Sequence, residues 1–312
     1  MTGDLKKVAV LGASSHVARS LLPFFFSKTD AELFLFGRDG GKVRRTATID
    51  TDNARVRIFN GFDGFESHKY DVCLNCVGAG TPNVLGDDRS RWFTLTESFD
   101  NRILSYLTEK SPDTLYVSFS SGAVYGNLRR AGTENSVLSL NVNHLNFSDF
   151  YILARLNAEA KHRSFENLRL MDIRLFSYFS RYLDENAGYF MSDVLKALLT
   201  KTALHTKPDD MVRDYIAPSD LFSLIMCGVQ TTKINDTFDA YSREPVFKST
   251  VLNVFEEKFG LRCLTDGEPV SPNGEKNVYF SAYKKAQKIG YEPAYNSLET
   301  LIEETQKALE GR

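Results

Sequence analysis

Residues Leu115 to Gly126 read LYVSFSSGAVYG, an apolar run of β-formers that breaks on Ser120-Ser121-Gly122. A run of that kind reads as a buried strand, because strands covered on both faces lose the alternation of polar and apolar residues. A strand that stops on two hydroxyls and a glycine presents those hydroxyls at its carboxyl end. In open parallel α/β sheets that is the edge where ligands bind.

Upstream, Lys7 to Leu11 reads as a strand, then Gly12-Ala13-Ser14-Ser15-His16-Val17-Ala18 as a turn, then Arg19 to Phe26 as an apolar-periodic helix. Strand, small-residue turn and helix aim backbone N–H groups and a helix N-terminus at a phosphate. Gly12, Ser14, Ser15, His16 and Val17 are therefore candidate cofactor contacts. A second strand, Glu32 to Phe36, ends in Gly37-Arg38-Asp39. An acid directly after this strand would bind the ribose hydroxyls of NAD, whereas an arginine accommodates the 2′-phosphate of NADP. Gly37 removes the acid and Arg38 supplies the cation, so NADP is the expected cofactor; Asp39 keeps NAD open.

Arg55 to Phe59 and Tyr70 to Gly80 read as the third and fourth strands. The fourth carries Asn75, Val77 and Gly78, and a glycine in a strand marks a place where another group can approach the backbone closely. Leu95, Phe99, Ile103 and Leu107 form a helical stripe. Asp149 to Glu159 reads as a helix on which Tyr151 and Arg155, four apart, share one face. Leu168 to Phe176 is a further strand and Met191 to Leu199 a further helix. A terminal helix starts near Ser297.

Strands alternating with helices predict an α/β, doubly wound parallel sheet with a smaller C-terminal lobe. The expected division is a dinucleotide-binding domain over residues 1–176, with 211–240 returning to it, and a substrate lobe over 177–312.

Lys plus Arg number 38 and Asp plus Glu 40, a formal net charge of −2, so no basic field draws the chain to nucleic acid or to anionic membrane. No signal peptide is expected after MTGDLKK, and no apolar run approaches the roughly 20 residues of a membrane span. A cytoplasmic protein follows. Cys73 and Cys76 form a CxxC, but residues three apart on a strand point to opposite faces and share no ligand. The five histidines have no metal-ligand spacing, so no metal site is expected.

Ser120-Ser121-x-x-Val124-Tyr125-Gly126 resembles the strand-end motif of the extended short-chain dehydrogenases/reductases, the NAD-dependent epimerase/dehydratase family that modifies nucleotide sugars. Gly12-x-x-Ser15-x-x-Ala18 stands where that family has GxxGxxG. Tyr151-x-x-x-Arg155, with Glu159 four residues on, stands where it has Tyr-x-x-x-Lys and a glutamate. Arg174-x-x-Ser177 stands for its Arg-x-x-Asn, and Arg213-Asp214-Tyr215 with Asp220 for its Arg-Asp-aromatic segment.

The resemblance implies catalytic roles for Ser121, Tyr151 and Arg155 and cofactor contacts at Asn75, Val77, Gly78 and Ser120. It implies substrate contacts at Tyr125, Ser177 and Arg213. It further implies a nucleotide-sugar substrate and a homodimer built on the helix over Leu95 to Leu107 and the helix of Tyr151. Dehydratases of the family carry an Asp-Glu pair where this chain has Gly122 and Ala123, so dehydration is not expected; with Arg38 selecting NADPH, a 4-ketoreductase is the first expectation. A 4-epimerase stays open. So does a non-catalytic NAD(P)-binding sensor or assembly subunit, because Ser15, Arg155 and Ser177 all depart from the family's pattern.

Overall fold

The computed structural model describes residues 5–78, 88–265 and 277–311. In chain order the first strands are β1 (Lys7–Leu11), β2 (Glu32–Gly37), β3 (Val56–Asn60), β4 (Val72–Asn75), β5 (Leu115–Ser121) and β6 (Leu170–Leu175). The short strands β7 (Ser177–Tyr178), β8 (Leu204–Thr206), β9 (Val212–Arg213) and β10 (Tyr215–Ile216) follow. Then come β11 (Asn235–Asp239), β12 (Val246–Phe247), β13 (Cys263–Thr265) and β14 (Val278–Tyr279). The helices are α1 (His16–Lys28), α2 (Gly40–Thr46), α3 (Ser90–Lys110), α4 (Phe147–Arg163), α5 (Phe190–Thr200), α6 (Pro218–Gln230), α7 (Lys248–Phe259) and α8 (Ser297–Glu310).

Seven strands form one sheet in the order β11-β6-β5-β4-β1-β2-β3, every neighbouring pair parallel. The doubly wound α/β sheet expected from the sequence is therefore present. Its two faces are sorted by the period of two. Val8, Val10, Leu33, Leu35, Leu115 and Val117 pack with Leu21, Leu22 and Phe25 of α1 and with Leu221, Leu224 and Ile225 of α6. Ala9, Leu11, Phe34, Phe36 and Tyr116 pack on the opposite face with Ile103, Leu104 and Leu107 of α3. Cys73 belongs to the second layer and Cys76 to the first. Both thiols are free, and burial pushes both well above the usual thiol range.

Element ends lie close to the periodic reading, and the differences have local causes. Helix α1 starts at His16 rather than Arg19 because Ser15 caps it, its hydroxyl accepting from the Ala18 N–H at 3.3 Å. The helix runs through Pro23, which cannot donate to the Arg19 carbonyl one turn back; the Thr48 hydroxyl donates there instead at 2.6 Å. Strand β4 ends at Asn75, and residues 79 and 80 of the expected strand lie outside the described residues. Helix α4 opens with Asp149, which accepts from the Asn146 N–H at 2.7 Å, and closes on Lys161, His162 and Arg163. Both ends suit the helix dipole.

A second core lies in the C-terminal part of the chain, after β7. Phe179, Leu183, Met191, Val194, Phe255 and Leu301 pack together there. It is accompanied by a three-stranded sheet, β12-β9-β14, and two strand pairs. Among the described residues no helix is long and apolar enough to cross a membrane.

Candidate functional site

The carboxyl edge of the sheet gathers the candidate residues from β1, β4, β5 and α4. Gly12 ends β1 with φ +68°, and a Cβ there would stand 2.8 Å from the Cys76 carbonyl oxygen and 2.9 Å from the Val77 nitrogen. The β1–α1 turn thus lies directly against the end of β4, an approach open only to glycine. The Ser15 hydroxyl serves as the α1 cap, yet the N–H groups of His16 and Val17 have no acceptor among the described residues. First-turn amides of this kind suit an anion.

His16 adds no charge to that anion site. Its Nε2 meets the Ser180 hydroxyl at 2.7 Å and its ring lies 5.2 Å from Tyr178. Burial and the nearby Arg19 lower its pKa to about 4, so it is neutral. Arg38, after β2, is exposed and makes no hydrogen bond or ion pair among the described residues. Asp39 instead caps α2, accepting from the Lys42 N–H at 3.0 Å, and lies 3.6 Å from Arg45. First-turn amides without an acceptor among the described residues, a close glycine turn and an exposed cation after β2 fit a dinucleotide.

On β4, the Asn75 side chain is drawn inward. It donates to the Tyr116 hydroxyl at 2.8 Å and accepts from the Val77 N–H at 3.2 Å. Tyr116 in turn donates to Asp100, which meets buried His162; the other ring nitrogen of His162 meets Asp172. Burial alone would lower the imidazole's pKa, but the bonds to Asp100 and Asp172 carry it to about 9. The site's floor therefore rests on a buried imidazolium between two carboxylates.

Ser120 and Ser121 diverge, as alternation along β5 requires. The Ser120 hydroxyl is buried and donates to Glu159 at 2.5 Å, so its side chain serves the core instead of a cofactor. Glu159 also accepts from Arg174 at 2.6 Å, and Arg174 donates to the Tyr125 hydroxyl at 3.2 Å. Tyr125 donates to Asp239 at 2.7 Å, and Ser281 donates to the same carboxylate at 2.5 Å. Tyr125 is thereby tied into a buried chain of bonds rather than held out to a substrate.

Ser121 is also buried, its hydroxyl accepting from the Ala123 N–H at 3.1 Å. Tyr151 and Arg155 share the α4 face expected from their spacing. The Arg155 guanidinium lies over the Tyr151 ring at 5.3 Å and donates to the Phe119 carbonyl at 3.0 Å. Trp92 meets the other side of the Tyr151 environment edge-on, ring centres 4.7 Å apart. The Tyr151 hydroxyl has no hydrogen-bond partner among the described residues. Gly122 cannot carry a side chain, since a Cβ would stand 2.4 Å from the Phe176 ring.

Beyond the sheet, Ser177 pairs with Tyr215 in the β7–β10 ladder. Arg213 has its guanidinium over the Tyr279 ring at 5.7 Å and donates to the Val212 carbonyl at 3.0 Å. Burial lowers its pKa, and no carboxylate pairs with it among the described residues. The sequence reading missed Tyr279, whose hydroxyl meets that of Ser121 at 3.1 Å. It sits 158 residues downstream of Ser121, outside any local spacing. No group of three potential metal ligands occurs among the described residues.

The parallel sheet, the glycine turn at its first crossover and the hydroxyl edge of β5 define a Rossmann-type fold shared with nucleotide-sugar epimerases and dehydratases. One such structure is the UDP-glucuronic acid 4-epimerase of Bacillus cereus bound to a fluorinated UDP-sugar and NAD, with a TM-score of 0.80 and 15% identity over 98% of this chain and 100% of that one. An epimerase of Methanothermobacter thermautotrophicus gives 0.80 at 15% identity over 99% and 93%. The dTDP-glucose 4,6-dehydratase of Bacillus anthracis, bound to NAD, gives 0.75 at 15% over 98% and 97%. No protein-family model and no curated protein matches the chain.

Proposed function

We propose that the protein is an NAD(P)-dependent oxidoreductase acting on a nucleotide-linked sugar, as a 4-ketoreductase. The observation that supports this reading most is Arg155, whose guanidinium lies over the Tyr151 ring at 5.3 Å and donates to the carbonyl of Phe119, two residues before Ser121 on β5. The full-length likeness to nucleotide-sugar enzymes crystallised with NAD supports the substrate class and the cofactor type.

The first-turn amides of α1 would hold the pyrophosphate, the edge from Asn75 to Gly78 the adjoining riboses, and Arg38 a 2′-phosphate, which favours NADP. The bound nicotinamide supplies or accepts a hydride. The chain's own part is acid–base chemistry. With a reduced dinucleotide bound to supply the hydride, Tyr151 would give the proton to the oxygen of the ketone being reduced. Ser121 hydrogen-bonds that oxygen. Arg155, its guanidinium over the Tyr151 ring at 5.3 Å, would hold that ring in place and offer donors to the cofactor.

Arg213, half-buried and without a counter-charge among the described residues, suits the diphosphate of the substrate. Gly122 and Ala123 bring no acid or base for eliminating water, and Phe176 fills the space such side chains would need. A net reduction is favoured over epimerisation by Arg38, since a cofactor that is exchanged each cycle is the one for which NADPH selection matters. We further propose a homodimer through α3 and α4, whose mutual packing leaves Leu156 exposed on the outer surface. The test of function is a screen of nucleotide-linked 4-keto sugars with NADPH and NADH. Consumption of the reduced nicotinamide supports the reading. Tight cofactor binding without turnover on every sugar would replace it with the sensor.

A further inference from the structure

Ser121 has one proton and two lone pairs to offer. One lone pair takes the Ala123 N–H at 3.1 Å, and a second bond, also 3.1 Å, joins its hydroxyl to that of Tyr279. Tyr151, the phenol expected to transfer the proton, is not bonded to Ser121. The serine of the site is therefore partnered by a tyrosine from the far end of the chain.

That tyrosine is held firmly. Strand β14 pairs with β9 so that Tyr279 stands opposite Arg213, whose guanidinium covers its ring. Phe176 packs against it at 5.2 Å. The following residues are pinned to the loop after β5, with Gly132 N–H donating to the Phe280 carbonyl at 2.9 Å and Ala282 N–H to the Gly132 carbonyl at 2.7 Å.

We propose that Tyr279 is a further catalytic residue, the second hydrogen-bond donor, with Ser121, to the substrate oxygen at the reacting carbon. This rests on the reading of the site as a carbonyl reductase. Two hydroxyl oxygens 3.1 Å apart can both reach one incoming oxygen at an ordinary hydrogen-bond length of about 2.8 Å. As hydride reaches the carbon, negative charge grows on that oxygen, and fixed donors placed there stabilise it most.

Burial pushes the Tyr279 phenol above its usual range, while Ser121 and the Arg213 cation act in the opposite direction. The phenol therefore stays protonated at neutral pH and remains a donor. Proton transfer belongs to Tyr151, and Tyr279 keeps its own proton throughout.

Tyr279→Phe tests the role, because it keeps the ring that Arg213 and Phe176 pack against and removes only the hydroxyl. With a nucleotide-linked 4-keto sugar that the wild type reduces, kcat is expected to fall about 100-fold, with KM and the calorimetric affinity for UDP within about twofold. An unchanged kcat overturns the proposal while leaving the reductase reading intact. A fall in kcat that comes with equal loss of UDP affinity also overturns it, since the hydroxyl would then be structural. Absence of wild-type turnover on every sugar refutes the reductase reading, and the donor role with it. The contact is decided without turnover by NMR of Cζ-labelled tyrosine. Ser121→Ala must shift the Tyr279 resonance, and an unmoved resonance overturns the proposal.

Discussion

Replacing Glu159 by alanine removes one end of a buried ion pair two turns along α4 from Tyr151. Its carboxylate is 5% exposed and accepts from Arg174 Nη2 at 2.6 Å, from Arg174 Nε at 3.0 Å, and from Ser120 at 2.5 Å. Arg174 is itself only 20% exposed. Breaking such a pair by deleting one partner costs about 3–5 kcal/mol, since a charge is left buried without its mate. Arg174 would keep a weaker neighbour, Asp239 at 3.6 Å, which places the expected loss near the lower end, about 3 kcal/mol. Glu159→Gln, which keeps one acceptor oxygen but no charge, should lose less.

Urea unfolding followed by circular dichroism reads both values, provided the slope of the transition is shared with wild type. A loss below about 1 kcal/mol for Glu159→Ala would refute the idea that this pair braces the end of β5. The Arg174→Met, Glu159→Leu double variant gives a second check. It should be more stable than the Glu159→Ala, because no uncompensated guanidinium remains.

Other consequences follow from the same geometry. The folded-state pKa of His162, about 9, lies above its unfolded value of 6.5, so its stabilising charge is complete below about pH 6.5 and lost as pH rises through 9; unfolding free energy measured from pH 6 to 10 should fall across that window, and His162→Gln should flatten the fall. Arg38→Ala should weaken NADP(H) binding roughly tenfold and leave NAD(H) unchanged; equal affinities of the wild type for both dinucleotides would remove the assignment. Sedimentation at micromolar concentration should give a dimer that Leu156→Arg, a charge placed on the outer face of α4, dissociates; a wild-type monomer would mean that this face is free surface.

Much of the fold was legible because its signals are local. The buried strand over Leu115 to Ser121, the short apolar runs of β1 and β2, and the i, i+4 pairing of Tyr151 with Arg155 each depend on a few neighbouring residues. The end of a strand on hydroxyls likewise marks the cleft without reference to the rest of the chain. What escaped depends on contacts between distant segments. Tyr125 and Ser120 look available in sequence, yet Asp239 and Glu159 claim their hydroxyls in the folded protein. Ser15 reads in sequence as a departure from the glycine of the phosphate turn, whereas in the fold its hydroxyl caps α1. Tyr279 follows residues with no strong pattern and reaches Ser121 only because β14 joins β9. The His162 network draws on α3, α4, β5 and β6 together, and no single stretch announces it.

The most direct test of the central claim loads wild type and Tyr151→Phe with NADPH, adds a nucleotide-linked 4-keto sugar, and follows the nicotinamide absorbance through one turnover. The account predicts that the wild-type signal decays to the oxidised level, while the variant binds the cofactor equally well and its signal stays flat on the same timescale. Equal decay in both would contradict the role given to Tyr151. A flat wild-type signal, with the cofactor firmly bound across all the sugars, would contradict the assignment as an oxidoreductase.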